Sequence, residues 1–316
     1  MKPGSGNKLE ENLKDKITKL KKEKNALIMA HYYQREEIQE IADFIGDSLA
    51  LAREAAKTDA EIIVMCGVHF MGETAKILCP DKKVLIPDLN AGCSLADSCD
   101  PEEFKEFVEY HPDYTVISYV NTSAAVKALT DIVVTSGNAR HIVEKLPEDE
   151  KIIFGPDHNL GEYINSVTGR KMLLWKGACH VHDRFSMEKI LEMKKEHPGA
   201  KILVHPECKR PLQLIADKVG STAALLDFAQ KDDAKEYIVV TESGILFEMR
   251  NKCPEKVFLA APAEDSECQC NECDFMKLNT LKKVYDCLLN ESPEIIVDED
   301  VAEKAVRPIE RMLEMS

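Results

Sequence analysis

The stretch Ala26-Leu27-Ile28-Met29-Ala30-His31-Tyr32-Tyr33-Gln34 decides the fold. A short, wholly apolar run is the pattern of a strand buried on both faces, as in a parallel sheet. It stops abruptly at a histidine and two tyrosines, groups able to bind a ligand or move a proton. Helical text follows from Glu37 to Lys57, with Ile38, Ile41, Ala42, Ile45, Leu49 and Ala52 on one stripe. A second strand, Glu61 to Met65, ends in Cys66-Gly67. A helix from Phe70 to Leu78 stops at Cys79-Pro80-Asp81, and a third strand, Lys83 to Pro87, leads to Ala91-Gly92-Cys93.

The same order recurs twice. The second pass has strands at Thr115 to Asn121, Asp131 to Thr135 and Lys151 to Pro156, with helices from Ser123 to Leu129 and from Asn138 to Lys145. A loop then runs to Gly177-Ala178-Cys179. The third pass has the strand Ala200 to Val204 ending in His205-Pro206-Glu207, helical text over Arg210 to Val219 and Ser221 to Ala229, and the strand Tyr237 to Thr241. A helix from Ile245 to Lys252 and the strand Lys256 to Ala260 complete it. Cys66-Gly67, Ser136-Gly137 and Ser243-Gly244 each close a second strand. The turns after Pro80, Pro147 and Pro254 each precede a third. The sequence therefore predicts a threefold repeat of β-α-β-α-β units with parallel sheets and right-handed crossovers. Leu9 to Lys24 predicts a helix that packs through Leu9, Leu13, Ile17 and Leu20. Met276 to Tyr285 and Asp300 to Leu313 predict closing helices.

Composition narrows the function. The chain has 316 residues and a net charge of −15, which argues against duplex nucleic acid as a partner because nothing would neutralise phosphates over a large face. A single tryptophan argues against a stacking platform for single strands. No apolar run is long enough to cross a bilayer, and Met1 to Lys8 lacks the apolar region of a signal peptide, so the expectation is a soluble, cytoplasmic protein with no membrane contact. Eleven cysteines in such a compartment point to metal or catalysis rather than disulfides.

In open parallel sheets, ligands bind beyond the carboxyl ends of the strands. Those ends carry His31 and Tyr33, Tyr119 and Asn121, and His205 and Glu207. Helix starts after Cys66, Ser136 and Ser243 offer free N–H groups to an anion. Each unit then ends in a cysteine region: Cys93, Cys179, and Glu267-Cys268-Gln269-Cys270-Asn271-Glu272-Cys273. The last resembles a zinc knuckle but lacks a fourth ligand at finger-like spacing. Three thiolates from three units, brought together, suit a metal centre with an open position. Cys66, Cys79, Cys99, Cys208, Cys253 and Cys287 read instead as apolar fillers. Cys179-His180-Val181-His182 would make part of a zinc site only with two further ligands.

Longer stretches resemble a known family. His31-Tyr32-Tyr33-Gln34 with Gly46-Asp47-Ser48, Gly67-Val68-His69-Phe70-Met71-Gly72-Glu73-Thr74-Ala75, and Pro87-Asp88-Leu89-Asn90-Ala91-Gly92-Cys93 are similar to quinolinate synthases. So are Tyr119-Val120-Asn121-Thr122, Val204-His205-Pro206-Glu207-Cys208 and Cys273-Asp274-Phe275-Met276-Lys277-Leu278-Asn279. The resemblance runs from about residue 20 onward. It implies condensation of iminoaspartate with dihydroxyacetone phosphate to quinolinate, phosphate and two waters, in de novo NAD biosynthesis. It implies a [4Fe-4S] cluster held by Cys93, Cys179 and Cys273, with the fourth iron open to substrate as a Lewis acid. Cys268 and Cys270 then become bystanders; the family often shows Cys-x-x-Cys-x-x-Cys there, and this chain has Cys-x-Cys-x-x-Cys.

The resemblance also implies substrate-binding roles for His31, Ser48, Asn121, Ser136, Ser221 and Thr222. It implies catalytic roles for Tyr33, Tyr119, His182, His205 and Glu207, with Glu207 and His205 as an acid/base pair. The implied fold is three homologous three-layer α/β/α domains with short parallel sheets, related by pseudo-threefold symmetry. Their expected bounds are 25–100 joined by helices in 276–316, then 101–180 and 181–275, with 1–24 as a helix packed on the body. An L-aspartate oxidase or aspartate dehydrogenase is the expected functional partner. Two other three-cysteine cluster classes share the plan, the diphthamide-synthesis radical enzymes and the reductase of hydroxymethylbutenyl diphosphate. The tips His31-Tyr32-Tyr33-Gln34 and His205-Pro206-Glu207 disfavour both. A zinc-binding scaffold without catalysis is the rival of a different class.

Overall fold

Three sheets of four parallel strands each form the framework of this computed structural model, which describes residues 5–264 and 271–316, with side chains from residue 10 onward. Cys268 and Cys270 lie outside the described residues. The first sheet comprises β1 (Ala26–His31), β2 (Phe44–Gly46), β3 (Ile62–Cys66) and β4 (Lys83–Leu85). The second comprises β5 (Thr115–Tyr119), β6 (Ile132–Val134), β7 (Ile152–Gly155) and β8 (Leu173–Leu174). The third comprises β9 (Lys201–Val204), β10 (Lys218–Val219), β11 (Glu236–Val240) and β12 (Val257–Ala260). The strand orders are β2-β1-β3-β4, β6-β5-β7-β8 and β10-β9-β11-β12, one order used three times. Helices join the strands, so each sheet is the parallel α/β arrangement expected.

Each repeat nevertheless has four strands where the sequence predicts three. The expected helix Glu37 to Lys57 is two helices, Glu36–Gln39 and Ser48–Lys57, with β2 between them. Ile41, Ala42 and Ile45 fit a helical stripe and a short buried strand equally well. Tertiary pairing decides: Met29, Ala30 and His31 of β1 lie opposite Phe44, Ile45 and Gly46 of β2. Asp43 fastens this edge. Its carboxylate accepts the Ile28 N–H at 2.9 Å and its own N–H bonds the Ile28 carbonyl. Asp131 does the same to Val116, and Asp217 to Ile202, each fifteen residues on from its partner.

That device corrects the register of the repeat. Ser136-Gly137 follows the edge strand β6 and is therefore equivalent to Gly46-Asp47-Ser48 and Gly220-Ser221-Thr222, not to Cys66-Gly67 and Ser243-Gly244. The expected loop up to Gly177 contains the helix His158–Thr168 and β8. Asp157 caps that helix and Gly169, at φ 75°, ends it. The helical text over Arg210 to Val219 stops at Leu214 and resumes as β10. The closing helices appear as Leu281–Asn290 and Glu299–Met315, preceded by one 3₁₀ turn at Met276–Leu278.

The chain divides into two compact units. One comprises Met1–Cys93 and Asp274–Glu299; the other comprises Ser94–Cys273 and Asp300–Ser316. The first holds the β1–β4 sheet. Its core joins Ile28, Ala30, Val64 and Leu85 from the strands to Ile17 of the helix Ser5–Glu23 and to Leu281, Val284 and Leu288 of the helix Leu281–Asn290. The second unit holds the other two sheets, one core built around Phe104, Val116, Val126 and Ile153, another around Phe185, Ile202, Val204, Ile238 and Val240. Among the described residues no helix is long and apolar enough to cross a membrane.

Candidate active site

In the second unit the tips of β5 and β9 meet. Tyr119 ends β5, and its phenol donates to Glu207 Oε1 at 2.5 Å. His205 follows β9 directly, with Nδ1 3.7 Å from the same oxygen and Nε2 3.2 Å from Ser136 Oγ. His182, from the turn after Cys179, presents Nδ1 to Glu207 Oε2 at 3.1 Å and to Cys179 Sγ at 3.2 Å. A proton on Nδ1 suits both neighbours, and Nε2 lies 2.9 Å from Thr241 Oγ1. The two imidazoles stack with centroids 4.6 Å apart. Glu207, His182 and His205 are all buried. Burial pushes the Glu207 carboxyl up, but the charges of His182 and His205 and the hydrogen bonds from His182 and Tyr119 outweigh it. The carboxyl is held well below the usual range, and Glu207 is ionised.

Two further buried acids stand beside this cluster. Asp157 accepts Leu160 N–H at 2.7 Å and Cys179 N–H at 3.2 Å. Burial, and then the charge on Glu207, push its carboxyl up. Glu242 accepts Gly244 N–H at 2.7 Å and Cys273 N–H at 3.1 Å. Asn271 ties the same segment down by donating to the Val181 carbonyl at 2.5 Å.

The same unit holds two turns suited to an anion. Ser136-Gly137 follows β6, and Ser221-Thr222 follows β10 and opens the helix Thr222–Lys231, where Ser221 Oγ accepts Ala224 N–H at 3.3 Å. The turns approach closely: a Cβ on Gly137 would stand 3.4 Å from Ser221 Oγ. Asn121, two residues past Tyr119, keeps Oδ1 buried without a hydrogen-bond partner among the described residues.

In the first unit, His31 ends β1 and is buried. Its Nδ1 accepts Tyr33 N–H at 3.1 Å, and its ring meets the Tyr33 ring edge-on at 4.5 Å. Tyr32 N–H bonds the Gly46 carbonyl at 3.2 Å, which sets this tip beside the turn leading to Ser48. Asp47 caps the helix that Ser48 begins. Lys277 donates to the Tyr33 carbonyl at 2.7 Å. Cys93 follows Ala91-Gly92 beyond β4, where His69 N–H bonds the Ala91 carbonyl at 2.7 Å.

Each tip is bracketed from behind by a buried polar side chain. Gln39 donates to the carbonyls of Tyr32 and Gln34, around Tyr33. Gln213 donates to those of Pro206 and Cys208, around Glu207. Lys127 stands in this position in the second repeat and donates to the Thr122 carbonyl, next to Asn121.

Burial sorts the described cysteines. Cys66, Cys79, Cys99, Cys208, Cys253 and Cys287 are buried; Cys93, Cys179 and Cys273 are half-buried. Burial pushes the Cys99 and Cys287 thiols up to about 12 and raises that of Cys208 well above its usual value, so these hold their protons. The half-buried three each follow the fourth strand of a sheet. Cys179, His182 and Glu207 also offer donor atoms within 4.8 Å of one another, close enough to hold a metal ion.

Sequence reasoning missed Asp157, Thr241, Glu242 and the bracketing Gln39, Lys127 and Gln213. One signal was available: Asp157 and Glu242 both stand two residues beyond the third strand of their sheets.

A family model described as quinolinate synthetase A protein matches residues 15–314. The chain belongs to this family. Among curated relatives of the quinolinate synthetase A family, the quinolinate synthase of Chloroherpeton thalassium is 56% identical over 305 residues, covering 96% of this chain and 95% of the relative. That of Microcystis aeruginosa is 54% identical over 314 residues, covering 99% and 98%. That of Nostoc punctiforme is 56% identical over 300 residues, covering 95% and 92%. Family membership agrees with the resemblance read from the strand-tip motifs.

Proposed function

We propose that the chain makes quinolinate, condensing iminoaspartate with dihydroxyacetone phosphate and releasing phosphate and two waters, as a step of de novo NAD biosynthesis. Family membership and relatives named quinolinate synthase support the activity. The observation that carries it to residues is the linked chain Cys179–His182–Glu207–Tyr119, with His205 stacked on His182. Joining two carbon skeletons, closing a ring and losing water twice all move protons, which needs acids and bases in reach of the substrate. Glu207, kept ionised, takes protons; His205 beside it returns them. Tyr119 fixes the Glu207 carboxylate, and Tyr33 and Tyr119 position or protonate the triose end. Asn121 Oδ1 accepts a substrate N–H or O–H. Ser136, Ser221, Thr222, His31 and Ser48 take the carboxylates and the phosphate.

Cys93, Cys179 and Cys273 would hold a [4Fe-4S] cluster. Their half-buried thiols, at one position in each repeat, fit a soft thiolate-bound group as the six buried cysteines do not. When bound, such a cluster with one iron free of cysteine supplies a Lewis acid toward a hydroxyl or carboxylate oxygen. The same reading assigns one sheet to each of three domains, 25–100 with 276–316, 101–180 and 181–275, supported by the recurring strand order. It places the chain in the cytoplasm, with iminoaspartate supplied by an L-aspartate oxidase or aspartate dehydrogenase.

The proximity of Cys179, His182 and Glu207 favours one other reading, a single zinc ion at that point. Anaerobic purification with iron, sulfide and zinc analysis, followed by a quinolinate assay, separates the two. Iron with matching sulfide, and turnover lost in Cys179→Ser and Glu207→Gln, is the expected result. Cys273→Ser is expected to lose the cluster while Cys268→Ser and Cys270→Ser keep it. Zinc without sulfide, or near wild-type turnover in Glu207→Gln, would overturn the cluster or the base assignment respectively.

A further inference from the structure

We infer that Asp157 and Glu242 are positioning residues for two of the cluster cysteines, each holding the main-chain N–H of its cysteine on one carboxylate oxygen. The inference rests on the reading of Cys179 and Cys273 as ligands. Asp157 Oδ1 accepts Leu160 N–H, at the start of the helix His158–Thr168, and Oδ2 accepts Cys179 N–H. Glu242 Oε2 accepts Gly244 N–H, just before the helix Ile245–Lys252, and Oε1 accepts Cys273 N–H. Both acids are wholly buried, and both stand two residues beyond the third strand of their sheets. One carboxylate thus spans two chain segments: the helix start that follows its own strand, and the cysteine that arrives much later in the sequence.

The requirement is for an acid and not an amide. Each group accepts two main-chain N–H donors on two different oxygens. Asn or Gln has one acceptor oxygen, and its NH₂ would face the other N–H. The first repeat does without this device: Val68 occupies the position, and the Cys93 loop has the main-chain bond that all three repeats share, here His69 N–H on the Ala91 carbonyl. Two of the three cysteine loops therefore have their backbones set by an acid before any iron arrives. A thiolate delivered on a preformed loop binds metal more tightly than one on a loop that must be ordered.

The test uses the full chain in two states. With ¹⁵N-cysteine labelling, amide exchange is read in the apo-protein for Asp157→Asn and Glu242→Gln. Exchange is expected to quicken at Cys179 in the first and at Cys273 in the second, the other cysteine amides serving as controls. In the reconstituted protein a chelator is expected to strip iron at least about tenfold faster from either variant, as for lost outer-shell partners of metal ligands generally. Glu242→Gln is also expected to move the cluster's midpoint potential to more positive values, because a lost negative charge and a freed N–H act in the same direction. Asp157→Ser guards against misfolding, since serine still caps the helix but no longer reaches Cys179 N–H. Wild-type exchange at both cysteines and wild-type iron retention would overturn the inference. If the wild-type chain takes up no iron and sulfide, the functional reading fails, while amide exchange still decides whether the acids hold the cysteine loops.

Discussion

At the scale of single residues, the site turns on who shares Glu207. Its two oxygens serve a phenol and two imidazoles at once, and that sharing keeps a buried carboxylate charged. Tyr119→Phe removes one donor and leaves the histidines. A hydrogen bond to a charged group contributes about 1.5–3 kcal/mol, so kcat/KM is expected to fall roughly tenfold to a hundredfold, with iron content unchanged. Steady-state kinetics beside iron analysis checks this; a fall in iron that tracks the fall in rate would place Tyr119 in cluster binding instead. Most of these residues were legible because polar groups closing an apolar run have few structural reasons to be there. Asp157 and Glu242 were not. Their partners are main-chain N–H groups of cysteines far along the chain, and no local pattern encodes such a bond.

At the scale of elements, close packing does the positioning. Gly177 sits two residues before Cys179 and bridges to Asp157, its carbonyl taking the His158 N–H at 2.9 Å. A Cβ there would stand 2.6 Å from the Pro156 carbonyl oxygen and 2.5 Å from Ser98 Oγ. The serine hydroxyl can turn away; the backbone oxygen cannot. Gly177→Ala is expected to cost about 1–3 kcal/mol, as overpacking does, and to displace the Cys179 loop. Loss of iron at a temperature where the variant is still folded, by circular dichroism, is the signature; full iron loading would show that the loop has slack. Unlike β6, which was read as the strand Asp131 to Thr135, the edge strands β2 and β10 escaped sequence reading for a related reason. Each is two or three residues long, too short to show an alternation, and each is fixed by an aspartate bonding back to the central strand. The spacing of those aspartates would have corrected the repeat register.

At the scale of the whole molecule, the first unit is closed by residues from opposite ends of the chain. Glu291 receives Lys24 Nζ and Lys83 Nζ, each at 2.6 Å. Hydrogen bonds from these two lysines lower its carboxyl from 4.5 to about 2. A lowered value means that the stabilisation is complete above the ordinary carboxylate range and is lost as the pH falls through the folded-state value. Glu291→Gln is therefore expected to melt below the wild type at neutral pH, with the difference closing as the pH falls from 4.5 to about 2. Melting curves across that range test it, and a difference that is constant with pH would mean the ion pairs contribute nothing. The tail helices themselves were legible as amphipathic text, but which sheet they covered was not, because an apolar stripe does not name its partner.

The composition of that first core bears on how the chain comes off the ribosome. Ile28, Val64 and Leu85 belong to its earliest sheet, while Leu281, Val284 and Leu288, which pack with them, are made almost last. Synthesis proceeds from the N-terminus at about 5–20 residues per second, and domains ordinarily fold as they emerge. The β1–β4 sheet has its apolar face covered in part by the helix Ser5–Glu23, and it waits for more than half of the chain to be translated before the helix Leu281–Asn290 joins it. The second unit also closes late, because it takes in Asp300–Ser316, whose Arg311 donates to the Asp131 carbonyl beside β6. Neither unit is complete until the C-terminal helices have been made.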